Sequence, residues 1–242
     1  GAGADTFNIS SITDGDDVID GDKSSNGNND TEIDTVDYSL ITNNTYHLEA
    51  DLTAGKIYVK DSPVSPNTVT TYITDTVRNI ENIVGTAGND TFIGDSSDNV
   101  FDGGNGSDTV NYTSSTKVEV NLGSLDVIYN NKTYLANKAI STLSGILNTD
   151  TLNNIENIKG SSFADIIIGN DQQNTLYGYN DNDYLDGGKN NDELYGGDGN
   201  DILKGGEGND SLDGGAGIDT VDYSDRTVNL VVDIANGEHT II

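Results

Sequence analysis

From Gly160 to Asp222 the chain divides without a gap into nine-residue frames: GSSFADIII, GNDQQNTLY, GYNDNDYLD, GGKNNDELY, GGDGNDILK, GGEGNDSLD and GGAGIDTVD. Position six is Asp in every frame but the second, where it is Asn174. Position eight is always aliphatic, running through Ile167, Leu176, Leu185, Leu194, Leu203, Leu212 and Val221. A shorter array starts at Gly85 and reads GTAGNDTFI, GDSSDNVFD and GGNGSDTVN. Its sixth positions are Asp90, Asn99 and Asp108, and its eighth are Phe92, Phe101 and Val110. One apolar residue in nine cannot make a helical face, which needs an apolar side chain every three or four positions. The end of each frame can instead form a very short strand in which only position eight points inward. The glycine-rich first six positions are turn chemistry, since glycine accepts positive φ and close backbone approach. Strand, turn, strand, turn gives a flattened coil with two frames per circuit, each unit gaining burial only from its neighbours. The expected fold is all-β, a parallel β-solenoid with two nonapeptide arrays and β-rich connecting segments.

A longer period overlies the short one. TDTVRNIENIVG at 74–85 recurs as TDTLNNIENIKG at 149–160, and DTVDYS at Asp34 recurs as DTVNYT at Asp108 and DTVDYS at Asp219. The pattern predicts a degenerate acidic region over 1–37, a connecting segment over 38–84, the short array over 85–111, a second connecting segment over 112–159, the long array over 160–222 and the start of a third connecting segment over 223–242. KIYVKD at 56–61 and KVEVNL at 117–122 read as strands, AISTLSGIL at 139–147 fits either a strand or a short helix, and Pro63 and Pro66 mark an exposed loop. The connecting segments are expected to continue or cap the coil.

The 41 Asp and Glu against 11 Lys and Arg give a formal net charge of -30, with only 33% hydrophobic residues and no Trp. Little apolar surface is available to offset chain entropy and self-repulsion. Nucleic acid and anionic membranes are excluded as partners, because both need a basic face. Cations suit the charge. The absence of cysteine rules out disulfides, thiolate metal sites and a cysteine nucleophile. No apolar run reaches the ~18 residues of a membrane span and no signal peptide is legible. With no Met and an opening GAGADTF, the chain reads as a piece of a longer protein. Where turns stack, carboxylates and exposed carbonyls converge into oxygen-only sites that favour Ca²⁺ over Mg²⁺.

These frames resemble the repeats-in-toxin (RTX) family, whose GGxGxDxUx nonapeptide forms a calcium-binding right-handed parallel β-roll. In that family, one loop gives its Asp and the carbonyls of positions two and four. The loop stacked two frames later gives its own Asp and the carbonyls of positions one and three. The resemblance implies that Asp165 with Ser161 and Phe163 faces Asp183 with Gly178 and Asn180. By the same rule Asp183, Tyr179 and Asp181 face Asp201, Gly196 and Asp198, and Asp201, Gly197 and Gly199 face Asp219, Gly214 and Ala216. On the opposite edge Asp192, Gly188 and Asn190 face Asp210, Gly205 and Glu207. The short array offers Asp90, Thr86 and Gly88 against Asp108, Gly103 and Asn105. Asn174 opposite Asp192, Gly187 and Lys189 departs from the motif and lacks one charge, so this site is expected to be weak or empty, as is any site using Asn99. About five or six Ca²⁺ are implied, each bringing two charges.

Other signals carry less. The acidic stretch holding Asp5, Asp17 and Asp34 lacks the EF-hand pattern and fits either an irregular calcium site or a solvated loop. His47 and His239 stand apart from any Ser or Cys constellation, no HExxH or GxSxG occurs, and Asn-x-Thr at 43–45 is expected by chance in such a composition. The expected function is a non-enzymatic module, monomeric as a fragment, that folds on binding Ca²⁺ outside the cell. The resemblance places it in a secreted or surface bacterial adhesin, toxin or surface-layer protein exported by a type I channel. The alternatives are the RTX tail of a secreted protease, lipase or alginate epimerase, and an adhesion module whose tyrosines meet a glycan or protein.

Overall fold

A computed structural model of the protein describes residues 4–13, 15–21, 33–61, 70–225 and 239–241. All its regular structure is β, in short strands, with no helix among the described residues. The chain forms two compact units, one of residues 1–111 and 148–155, the other of 112–147 and 156–242.

In the second unit the chain alternates between two parallel sheets. One carries Ile166–Ile168, Tyr184–Asp186, Ile202–Lys204 and Asp219–Val221 side by side, with His239–Ile241 at its edge. The other carries Asn157–Lys159, Thr175–Asn180, Glu193–Asp198 and Ser211–Ala216. Leu176 lies opposite Leu194 and Leu194 opposite Leu212, while Leu185 lies between Ile167 and Leu203. Position-eight side chains therefore stack in two columns. Ile167, Leu176, Leu185 and Leu194 are wholly buried, and Leu212 and Val221 at the end of the array are half-buried. KVEVNL contributes Val118–Asn121, which pairs in parallel with Ile166–Ile168 and antiparallel with Lys138–Leu143.

Position eight does not account for all the burial. In the sheet of Ile166–Ile168, positions seven and nine face outward yet hold Ile166, Ile168, Tyr184 and Ile202. A hairpin of Val127–Tyr129 and Lys132–Tyr134 covers them. Its turn residues Asn130 and Asn131 have φ of 47° and 60°, the left-handed pair that a two-residue hairpin requires. The Tyr129 ring stacks on Tyr184 at 3.8 Å. This connecting segment thus partly wraps the outside of the long array as well as extending its sheet. On the other sheet, Tyr177 and Tyr195 stack at 4.8 Å and 8°, one rung apart. AISTLSGIL resolves as strand on both sides of a turn at Ser144 and Gly145.

In the first unit, Asn82–Val84 pairs in register with Val100–Asp102, and Thr91–Ile93 with Thr109–Asn111. Phe92 and Phe101 stack at 5.2 Å and fill the space that aliphatic side chains fill in the longer array. The segment before this array builds three antiparallel strands, Tyr46–Asp51, Lys56–Asp61 and Thr71–Arg78. They join Thr91–Ile93 on one side and Val18–Asp20 on the other, both in parallel. Leu48, Ile57, Val59 and Ile73 are buried there, so this segment extends the sheet. Pro63 and Pro66 lie outside the described residues.

Leu194 is wholly buried mid-column, between Leu176 and Leu212. Leu194→Ala is expected to lower the unfolding free energy in calcium by about 2–5 kcal/mol, the range for a buried Leu-to-Ala truncation. Urea denaturation measures this, and a change below about 1 kcal/mol would mean that the column carries little of the stability.

Candidate metal centre

Every frame ends its turn on position six, just before the strand, and the fold buries that side chain. Asp90, Asp108, Asp165, Asp183, Asp192, Asp201 and Asp219 are buried and Asp210 is half-buried. Such burial is costly for a carboxylate unless its oxygens find donors. One oxygen finds it in the neighbouring rung. The N–H of Asp165 donates to Asp183 Oδ1 at 2.8 Å, that of Asp183 to Asp201 Oδ1 at 2.8 Å, and that of Asp201 to Asp219 Oδ1 at 3.1 Å. On the other edge Asn174 donates to Asp192 Oδ1 and Asp192 to Asp210 Oδ1. In the short array Asp90 donates to Asp108 Oδ1 at 2.7 Å. The structure thus joins position-six residues two frames apart along each edge.

The second oxygen is treated unevenly. Oδ2 of Asp183, Asp192 and Asp201 is buried and accepts no hydrogen bond. These oxygens point back across their own turns: a Cβ on Gly178, Gly187 or Gly196 would lie 2.2, 2.4 or 2.3 Å from them. The same hypothetical atoms would meet the carbonyls of Gly196, Gly205 and Gly214, one rung on, at 2.7, 2.8 and 2.7 Å. A carboxylate oxygen and a carbonyl oxygen with no donor between them form a cradle for a cation. The donor set is all oxygen, which suits a hard ion. Among the described residues no three Asp, Glu or His side chains converge, so further donors would come from the backbone.

The proton affinities follow this division. Burial, aided by neighbouring carboxylates, pushes Asp183 up to about 8 and Asp192 up to about 7, and raises Asp201. Burial raises Asp90 and Asp165 only to about 6, because each also accepts N–H and hydroxyl hydrogen bonds.

Of the carbonyl positions, Gly178, Tyr179 and Asn180 lie in one strand and Gly196, Gly197 and Asp198 in the next, with Gly214 and Ala216 in the third. The Ala216 carbonyl accepts from Gly199 N–H, and that of Gly188 from Glu207 N–H, each leaving a lone pair. Asp181 and Asn190 at position four have φ of 71° and 70°. Lys189 bridges to Glu207 along the backbone and pairs with Asp171 at 2.7 Å. Phe163 is exposed and its carbonyl accepts from Ser161 Oγ at 3.3 Å. Gly88 N–H is held by Thr86 Oγ1, while Gly103 and Asn105 lie in the turn ahead of Asp108.

Sequence reasoning passed over Asp75 and Asp150, which are also fully buried. Asp75 accepts Tyr38 Oη at 2.5 Å and Asp17 N–H at 2.9 Å, and Asp150 accepts Asn99 N–H at 3.0 Å. The signal was present: each stands two residues before an aliphatic residue, Val77 or Leu152, as position six does before position eight. In the acidic N-terminal region Asp34 is buried, accepts from Asp5 N–H at 2.7 Å and donates its own N–H to Glu81. His47 is partly buried, 3.8 Å from Glu49.

Two consequences are measurable. A carboxyl whose folded value lies above its unfolded value of about 3.9 binds more protons in the fold, so metal-free stability falls as pH rises. In chelator, the β signal of the long array is expected to fall as pH rises from about 4 to about 8, the window between the unfolded carboxyl value and the folded values of Asp192 and Asp183, and to show no such fall with calcium bound. A signal independent of pH in chelator would contradict this. Gly197 has φ of 112°, and a Cβ there would lie 2.0 Å from the Tyr179 carbonyl oxygen. Gly197→Ala should cost more than about 2 kcal/mol in calcium and weaken calcium binding, read by urea unfolding and calorimetry.

Comparison with known families places these turns. The family described as RTX calcium-binding nonapeptide repeat (4 copies) matches residues 78–110, 159–194 and 186–221. No curated protein matches the chain. The matched stretches contain the position-six carboxylates of both arrays. Residues 78–110 and 159–221 thus match RTX calcium-binding nonapeptide repeats.

Proposed function

We propose that this chain is a right-handed parallel β-roll that folds on binding Ca²⁺ and serves as a non-catalytic structural module. The observation that carries the reading is the set of buried carboxylate oxygens without donors at Asp183, Asp192 and Asp201. Leaving such groups unpaired costs free energy, and their mutual repulsion in a chain of charge -30 adds to it. A divalent ion removes both penalties, so ligand free energy becomes folding free energy. The stacked two-sheet register and the RTX match support the β-roll.

A calcium requirement gives the module a compartment. Bacterial cytosol holds little free calcium and the outside medium holds far more, so the turns that need the ion stay open inside and close outside. This suits a secreted or surface protein exported through a type I channel before its long array closes. An adhesin, toxin or surface-layer parent is consistent with the roughly 75-residue recurrence of TDTVRNIENIVG. A secreted enzyme carrying this tail is the alternative. Tyr179, partly exposed beside Tyr177, is the array's candidate for an adhesive contact.

Far-UV circular dichroism during a calcium titration from a chelated sample tests the reading, with magnesium as control. A cooperative gain of β signal with calcium and none with magnesium is expected. A spectrum fully β in chelator and unmoved by calcium would overturn it.

A further inference from the structure

The nonads fall into two turn types, set by position two. In the frames starting at Gly85, Gly94, Gly160 and Gly169, position two is Thr86, Asp95, Ser161 and Asn170, none of them at positive φ. Each of these side chains accepts the N–H of position four: Gly88 from Thr86 at 3.1 Å, Ser97 from Asp95 at 2.7 Å, Phe163 from Ser161 at 3.1 Å and Gln172 from Asn170 at 2.8 Å. Each backbone N–H at position two in turn reaches the position-six side chain. Thr86 and Ser161 donate to Oδ2 of Asp90 and Asp165 at 2.6 Å, and Asp95 and Asn170 to Oδ1 of Asn99 and Asn174 at 3.1 and 2.8 Å. The hydroxyls of Thr86 and Ser161 add a second bond to their Asp. The Asn174 amide donates to the Glu156 carbonyl at 2.7 Å, putting an N–H where a neighbouring turn would put a cation. These turns are closed by their own donors.

In the frames starting at Gly178, Gly187 and Gly196, position two is Tyr179, Gly188 and Gly197, with φ of 81°, 99° and 112°. The left-handed residue turns the preceding peptide, no N–H reaches the second carboxylate oxygen, and Oδ2 of Asp183, Asp192 and Asp201 is left bare. A donor hydrogen and a cation cannot occupy the same space beside one oxygen.

Resting on the calcium reading above, we infer that position two decides which turns take calcium: those of Asp183, Asp192 and Asp201 each take an ion, and the turns closed by their own N–H do not. The turns at Asp90, Asn99, Asp165 and Asn174 hold no calcium. Each array therefore begins with two metal-free turns, a fixed base on which the calcium-dependent turns stack.

The test is ion stoichiometry on the whole chain, by equilibrium dialysis with ⁴⁵Ca and by native mass spectrometry, with millimolar magnesium present to displace weakly held surface ions. Asp192→Asn should lower the calcium count of the unaltered chain by one, and the chain already accepts Asn at this position in two other frames. Asp165→Asn and Asp90→Asn, in closed turns, should leave it unchanged, and Ser161→Gly, which opens the turn of Asp165, should raise it by one. An ion lost with Asp165→Asn or Asp90→Asn, or an unchanged count with Asp192→Asn, overturns the inference while leaving calcium-driven folding intact, and no bound ion on the unaltered chain would overturn that reading as well. If Ser161→Gly fails to fold, the three Asn variants decide the matter alone.

Discussion

The structure depends on a column of carboxylates buried beside a core one side chain wide. Each position-six Asp fixes the rung before it, because its Oδ1 accepts that rung's N–H, as Asp183 does from Asp165 and Asp201 from Asp183. This sets the rung-to-rung register as firmly as the strand pairing does. The bond holds the carboxylate in a place where its charge is poorly solvated, and the stacked leucines supply too little burial to absorb that cost. What the second oxygen meets then determines how a rung behaves. An N–H there makes the rung self-sufficient; a bare oxygen makes it dependent on an ion.

This uneven treatment links local sequence to a graded response. Thr86 and Ser161 use ordinary turn chemistry, in which a hydroxyl captures a nearby N–H, and so do Asp95 and Asn170 with their side-chain oxygens. Glycine at position two removes that chemistry and admits the left-handed backbone. Tyr179 adopts the same conformation without being glycine, at a strain cost the surrounding stack must offset; its ring lies beside Tyr177, which stacks on Tyr195.

Much of the fold was legible because the nonad ties turn, strand and core to fixed positions. The columns of Ile167 to Leu203 and of Leu176 to Leu212, and the pairing of Asp residues two frames apart, follow from counting by nine. The hairpin over Tyr184 did not follow, since the step concentrates attention on position eight. Ile166, Ile168, Tyr184 and Ile202 at outward positions were the clue that something covers them. The site was legible in part. Spacing identifies which carboxylates stack, whereas which oxygen keeps a free lone pair depends on backbone φ at position two. Asp75 and Asp150 escaped because each lies inside a long strand, Thr71–Arg78 or Ile146–Asn153, and not directly after a turn, although their spacing to the next aliphatic residue is that of a nonad.

Hydrogen exchange read by mass spectrometry, in chelator and then in calcium, tests the central claim most directly. The account predicts that in chelator the amides of 178–221 exchange freely while those of 82–102 and 157–168 stay protected, and that calcium protects the former. Uniform protection in chelator, or uniform exchange that calcium reverses everywhere at once, would contradict it.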